Sequence, residues 1–135
     1  MTLKTIMSLV LIAGSGFAAP SLAQDANEGQ ILYQKHCSDC HGPSADGKGS
    51  LADAMIMKPK NLSRLTAENN GIFPVIRVVM RIDGREPLVS HGSPMPVYGQ
   101  YFEGSGAVLK TAAGQPILTS SPIADLVVYL QGVQQ

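Results

Sequence analysis

Apolar residues recur at helical spacing in three stretches of this chain, and those stretches are joined by long segments with no period. In QDANEGQILYQKHC, Gln24 to Cys37, Gly29 and Tyr33 share a face at i, i+4, and Ile31, Leu32 and Lys35 fall at helical spacings beside them. Asp25 or Asn27 stands where an N-cap belongs. Interior glycine weakens a helix, so Gly29 predicts close approach by another backbone or a ring. FPVIRVVMRIDG, Phe73 to Gly84, predicts a second helix with Pro74 in its first turn and Gly84 as terminator. Val75, Ile76, Val79 and Ile82 form its expected apolar stripe, with Arg77 and Arg81 on the wet side. SSPIADLVVYLQGV, Ser120 to Val133, predicts the last helix, with Ser121 as cap, Pro122 at the first position and Asp125 in the early turns. Its apolar face is Ile123, Leu126, Val127 and Leu130, with Tyr129 at the edge.

The connecting segments read differently. HGPSADGKGSLADAM and MKPKNLSRLTAENNG are turn-rich, and Arg85 to Phe102 carries three prolines and two glycines. GSGAVLKTAAGQPILTS, Gly104 to Ser120, has two short apolar runs either side of Ala112–Gly114 and predicts a small hairpin or a wrapped loop. A few helices joined by long Gly/Pro-rich loops make a poor core by themselves. They make sense if the loops wrap a ligand.

Residues 1–23 have the layout of a secretory signal peptide. MTLK carries one positive charge, TIMSLVLIAGSGFAA is apolar, and Ser21 and Ala23 take the −3 and −1 positions of a cut after Ala23. The rival reading, an uncleaved anchor, suffers from Gly14, Ser15 and Gly16, which interrupt the run short of the ~20 residues a spanning helix needs. No cysteine follows the cut to carry a lipid. Residues 24–135 then form a single domain with no integral membrane segment, and a periplasmic location is expected. Cleavage removes only Lys4 from ten basic side chains and none of the ten acidic ones, leaving a formal −1. That balance does not point to nucleic acid. There is no Trp, and only Phe73 and Phe102 remain as phenylalanines beyond the cut. A large apolar cofactor would supply what the core lacks.

The chemistry is concentrated in KHCSDCHG, which holds both cysteines and two of the three histidines. In an oxidising compartment a free CxxC pair would close, but so short a loop adds little stability. A thioredoxin-like site expects a strand before the motif and a helix opening at it, whereas here a helix precedes and a glycine turn follows. A zinc site needs four ligands, and Cys37, Cys40, His36 and His91 are not supported by a second paired motif. Cys37 to His41 instead matches C-x-x-C-H, the attachment pattern of c-type haem: two thiols spaced for two vinyl groups, and an adjacent imidazole for the iron.

A second axial ligand would come from Met or His. His36 lies beside Cys37 and cannot easily cross the ring, so it is a bystander. Met55 and Met57 follow His41 closely, and Met80 sits near an apolar stripe. Met95 is held between Pro94 and Pro96, which restrict the backbone on both sides. Taken locally, Met95 reads equally well as a packing residue in a proline turn; a haem favours it as ligand, with His91 the runner-up.

These residues resemble the class I cytochromes c, one haem per chain, over most of the sequence after the leader. The resemblance rests on Cys37-Ser38-Asp39-Cys40-His41, on Met95 in its proline loop and on the terminal helix. Gly29 with Tyr33, and Leu126 with Tyr129, match the pairs through which that family packs its first and last helices. NNGIFPVIRVVMRIDGR and HGSPMPVYG are similar to a bacterial branch of small periplasmic members. The resemblance implies an all-α cytochrome c fold, with crossed N- and C-terminal helices and loops wrapping one covalent haem c. It implies electron transfer between redox protein partners rather than enzymatic conversion. Cys37 and Cys40 would be the covalent anchors, and His41 and Met95 the axial ligands. Pro59 is the candidate carbonyl for the second nitrogen of His41, and Leu62, Ile76 and Val79 are expected to bury the haem. Two basic groups, Lys58, Lys60 and Arg64, and Arg77, Arg81 and Arg85, are expected at the surface, for steering or for the propionates. The chain departs from compact members between Tyr98 and Ser121, so residues 99–120 are an expected insertion. Two alternatives stay open: a five-coordinate haem enzyme or sensor without Met95 ligation, and a haem subunit docked on a periplasmic dehydrogenase or reductase through Tyr98–Leu118.

Overall fold

Asp25 starts the first helix by accepting from the Asn27 and Glu28 amides at 2.8 and 3.4 Å, which settles the choice of cap. The computed structural model describes residues 24–86 and 94–135; the expected leader and His91 lie outside them. Helix α1 spans Ala26–His36, and after a break at Cys37 the single turn α2 spans Ser38–His41. Three short 3₁₀ turns follow, at Ala52–Ala54, Leu62–Arg64 and Ala67–Asn69. Helix α3, Val75–Asp83, ends at Gly84 in the left-handed region, whose amide closes on the Met80 carbonyl. Strands β1, Gly106–Lys110, and β2, Pro116–Ser120, precede helix α4, Ser121–Gly132.

The helical core is the α1–α4 contact. Gly29 is buried there, and a Cβ on it would stand 2.9 Å from the Tyr129 Cβ and closer still to the Asp125 carbonyl. The glycine is the condition for the two backbones to touch. The Tyr33 and Tyr129 rings meet at 5.2 Å, and the Asp25 amide donates to the Asp125 carboxylate at 2.7 Å. Tyr33, Ile123, Leu126 and Val127 are among the most completely buried side chains, as the helical spacing predicts.

Three expectations change. Ser120, not Ser121, flanks α4, and Ser121 lies inside it, its hydroxyl donating to the Ser105 carbonyl at 3.0 Å. On α3 the buried set is Val75, Val78, Val79 and Ile82, while Ile76 is exposed. That is the i, i+3, i+4, i+7 pattern, and Ile76 falls outside its arc. The fold is also not all-α. The expected insertion contains an antiparallel hairpin, Gly106 opposite Ser120 through Lys110 opposite Pro116, turned at Thr111–Gln115. GAVLK and PILTS alternate with period two, so Ala107, Leu109 and Ile117 pack on the core while Val108 and Leu118 face out.

Candidate haem site

The five residues of the motif are placed by helical geometry. Cys37, Cys40 and His41 stand at i, i+3 and i+4, one face of a single turn closed by the His41 amide on the Cys37 carbonyl at 2.8 Å. Gly42, at φ +82°, ends the turn and its amide caps Ser38. The Tyr33 hydroxyl donates to the Gly42 carbonyl at 2.6 Å, tying α1 to the exit of the turn. The chain then folds back beneath the motif. The amides of Gly47, Gly49 and Leu51 donate to the carbonyls of His41, Cys40 and Asp39, at 2.7, 3.1 and 2.9 Å.

This turn forms one wall of a cavity of about 460 Å³. Cys37, Cys40, His41 and Met95 all line it, together with apolar Leu62, Leu65, Val78, Ile82, Leu126 and Leu130. The four residues singled out for haem binding are thus brought to one space. Met95 is half-buried and reaches it between Pro94 and Pro96, which also line the wall. Behind it the Tyr98 amide donates to the Ile82 carbonyl at 2.8 Å, and the Tyr98 hydroxyl to the His36 carbonyl at 2.9 Å. The Tyr98 ring stacks on Phe102 at 5.2 Å.

The His41 ring is oriented from its far side. Its Nδ1–H donates to the Lys60 carbonyl at 2.9 Å, since a carbonyl can only accept. Burial pulls the His41 pKa below its usual value, partly opposed by that bond, so the ring is neutral near pH 7. A neutral ring with its proton on Nδ1 keeps its lone pair on Nε2. The Cys37 thiol is pushed up to about 11 by burial and by the neighbouring Cys40. No disulfide joins Cys37 to Cys40. Tyr33 and Tyr98 are also raised, chiefly by burial.

Several details differ from the sequence reading. The acceptor is the carbonyl of Lys60, one residue past Pro59, whose own carbonyl lies against Gly47, where a Cβ would meet it at 2.8 Å. Leu62 lines the cavity but Ile76 and Val79 do not; Val78 and Ile82 take their places. Arg77 and Arg81 line it as well, with Arg81 paired to Glu86 at 3.1 Å. Arg77 is exposed and Arg81 half-buried, so the wet side expected of α3 also borders the cavity. Met55 and Met57 reach the cavity too, on the loop that runs into Lys60, while Met80 does not. His36 lines it yet packs edge-on against Phe102 at 5.3 Å. Among the described residues no three His, Cys, Asp or Glu side chains group as a metal site, so the zinc reading gains no cluster.

The donor set fits a haem: two thiols, a neutral imidazole held at Nδ1, a thioether and cations around an apolar space. The Cytochrome c family model matches residues 26–134. The chain belongs to the cytochrome c family. Comparison with curated proteins and with solved structures gives no match. The cofactor of this cytochrome c is haem c, bound covalently, and Cys37 and Cys40 fit its C-x-x-C-H motif. The family's members are typically electron carriers, and its chemistry implies redox protein partners. No helix among the described residues is long and apolar enough to cross a membrane.

Proposed function

We propose that this cytochrome c is a periplasmic single-electron carrier in which His41 and Met95 are the axial ligands of one haem. The observation that carries the reading is the convergence of Cys37, Cys40, His41 and Met95 on one apolar cavity, from segments more than fifty residues apart. When bound, the haem supplies an iron that alternates between ferric and ferrous states. The chain's own part is to hold and tune it. Cys37 and Cys40 anchor it through their sulfurs, and the His41 Nε2 lone pair is directed to the metal by the Nδ1–H bond to Lys60. Met95, a soft thioether, favours the ferrous state and raises the potential. Leu62, Val78, Ile82, Leu126 and Leu130 exclude water, which makes the extra positive charge of the oxidised form costly. Arg77 and Arg81 offset the propionates, and residues 1–23 direct export.

The test is Met95→Ala in the haem-loaded protein. The wild type is expected to show the weak sulfur-to-iron charge-transfer band at the red edge of the ferric spectrum. The variant should lose it, bind CO rapidly when reduced and fall in potential. A wild type that already lacks the band and binds CO would favour the five-coordinate enzyme or sensor.

A second reading rests on the hairpin. Val108 and Leu118, opposite each other on its outer face, are 49% and 68% exposed, and Tyr101 nearby in sequence is 78% exposed. Such a face suits a subunit docked on a larger redox enzyme. Size exclusion of native extract separates the readings, since a free carrier elutes as a small monomer.

A further inference from the structure

The Lys60 carbonyl that orients His41 belongs to the stretch Lys60 to Thr66, built around the 3₁₀ turn Leu62–Arg64 and suspended between two sets of hydrogen bonds. On one side the Ala45 carbonyl accepts from the Leu62 and Ser63 amides at 2.7 and 3.0 Å. The other side is held by Gln134, two residues past α4. Its Nε2 donates to the Leu62 carbonyl at 2.8 Å and the Leu130 carbonyl at 2.7 Å, and its Oε1 accepts from the Thr66 amide at 2.9 Å. The Gln135 amide adds a bond to the Ser63 carbonyl at 2.8 Å. One side chain thus clamps both ends of the 62–66 turn to the end of α4. Leu62 and Leu65 from that turn line the cavity, and Leu130 lines it from α4.

We propose that Gln134 is a positioning residue for His41. By fixing the 60–66 stretch against α4 it sets the strength of the His41 Nδ1–H to Lys60 carbonyl bond, and through it the reduction potential. The proposal rests on His41 being the iron ligand. A tight bond from Nδ1–H leaves more negative charge on the ring, strengthens donation from Nε2 and stabilises the ferric state. Loosening the stretch weakens that donation, so the potential rises.

The experiment uses the haem-loaded protein. Gln134→Met keeps the length of the side chain and removes all three of its hydrogen bonds. The His41 Nδ1–H is expected to exchange with solvent about tenfold faster by NMR, the size that loss of about one net hydrogen bond implies. The midpoint potential should move upward. Ser121→Ala is the control, because it loses the bonds to Ser105 at the other end of α4 without touching residues 60–66. It should lower stability and leave both readouts in place. Should Gln134→Met fail to accumulate, Gln134→Glu keeps the acceptor toward Thr66, loses the donor to Leu62 and Leu130, and is read by the same two signals. An unchanged exchange rate and potential, or an equal shift in Ser121→Ala, overturns the proposal. A wild type without iron-shifted His41 resonances overturns the ligation itself and the proposal with it, an outcome distinct from an unchanged potential.

Discussion

The two ligand-bearing walls of the cavity are built by different means. On the His41 side the chain is bound to itself through backbone: Gly47 to His41, Gly49 to Cys40, Leu51 to Asp39, and Leu62 and Ser63 to Ala45. Around Met95, the described residues show prolines at 94 and 96, a backbone bond from Tyr98 to Ile82, and side-chain ties such as Tyr98 to His36 and Arg81 to Glu86. Backbone bonds on the first wall leave little freedom to three attachment atoms that must register together. On the second, a single thioether is carried by a loop whose backbone Pro94 and Pro96 restrict on both sides. Among the described residues, the first wall is backed by main-chain atoms and the second in part by side chains.

One added methyl group on each wall tests this most strongly. At Gly49 a Cβ would meet the Ser38 carbonyl oxygen at 2.6 Å and the Asp39 carbonyl closer still, and neither can rotate away. Gly49→Ala is expected to lose about 3 kcal/mol or more in urea unfolding and to load haem poorly. The same wall should dominate alkaline behaviour in the haem-free protein. The Cys37 pKa is raised in the fold to about 11, so the protonated thiol is favoured there, and its contribution is complete below the unfolded value. Stability should fall as pH climbs from about 8.5 through the folded value, by on the order of 3 kcal/mol. Urea titrations across that window, with iodoacetamide labelling of Cys37, measure it. The buried Tyr33 phenol acts in the same direction at higher pH.

On the Met95 side the effects should be smaller. At Gly84 the nearest atoms a Cβ would meet belong to the Val97 side chain, which is 42% exposed and can turn aside. The φ of +86° remains, so Gly84→Ala should cost about 1–2 kcal/mol. Equal losses at Gly49 and Gly84 would break the contrast. Tyr98→Phe removes the hydroxyl bond to His36 and keeps the stack on Phe102, for an expected loss of about 1 kcal/mol in the same assay.

Much of this architecture is legible in the chain because it depends on neighbours in sequence. The C-x-x-C-H spacing lies on one helical turn and therefore presents Cys37, Cys40 and His41 together in any fold that keeps the turn. Gly29 and the α4 stripe announce a close helix pair for the same local reason. The errors fall where the choice depends on what lies opposite. Whether Ile76 or Val78 turns inward is decided by where α4, the hairpin and the cavity meet α3. Pro59 and Lys60 are adjacent, and only the path of the chain over Gly47 selects which carbonyl meets His41.

The sequence by itself determined the attachment motif, the buried faces of α1 and α4 and the proline-bounded setting of Met95, since each is governed by spacing or by a fixed φ within a few residues. Tertiary structure alone decided that the expected insertion becomes a hairpin packed on the core, that Arg77 and Arg81 reach the cavity, and that Gln134 clamps the stretch bearing Lys60. These are pairings across tens of residues, where hydrogen bonds and burial depend on a distance that no local pattern encodes.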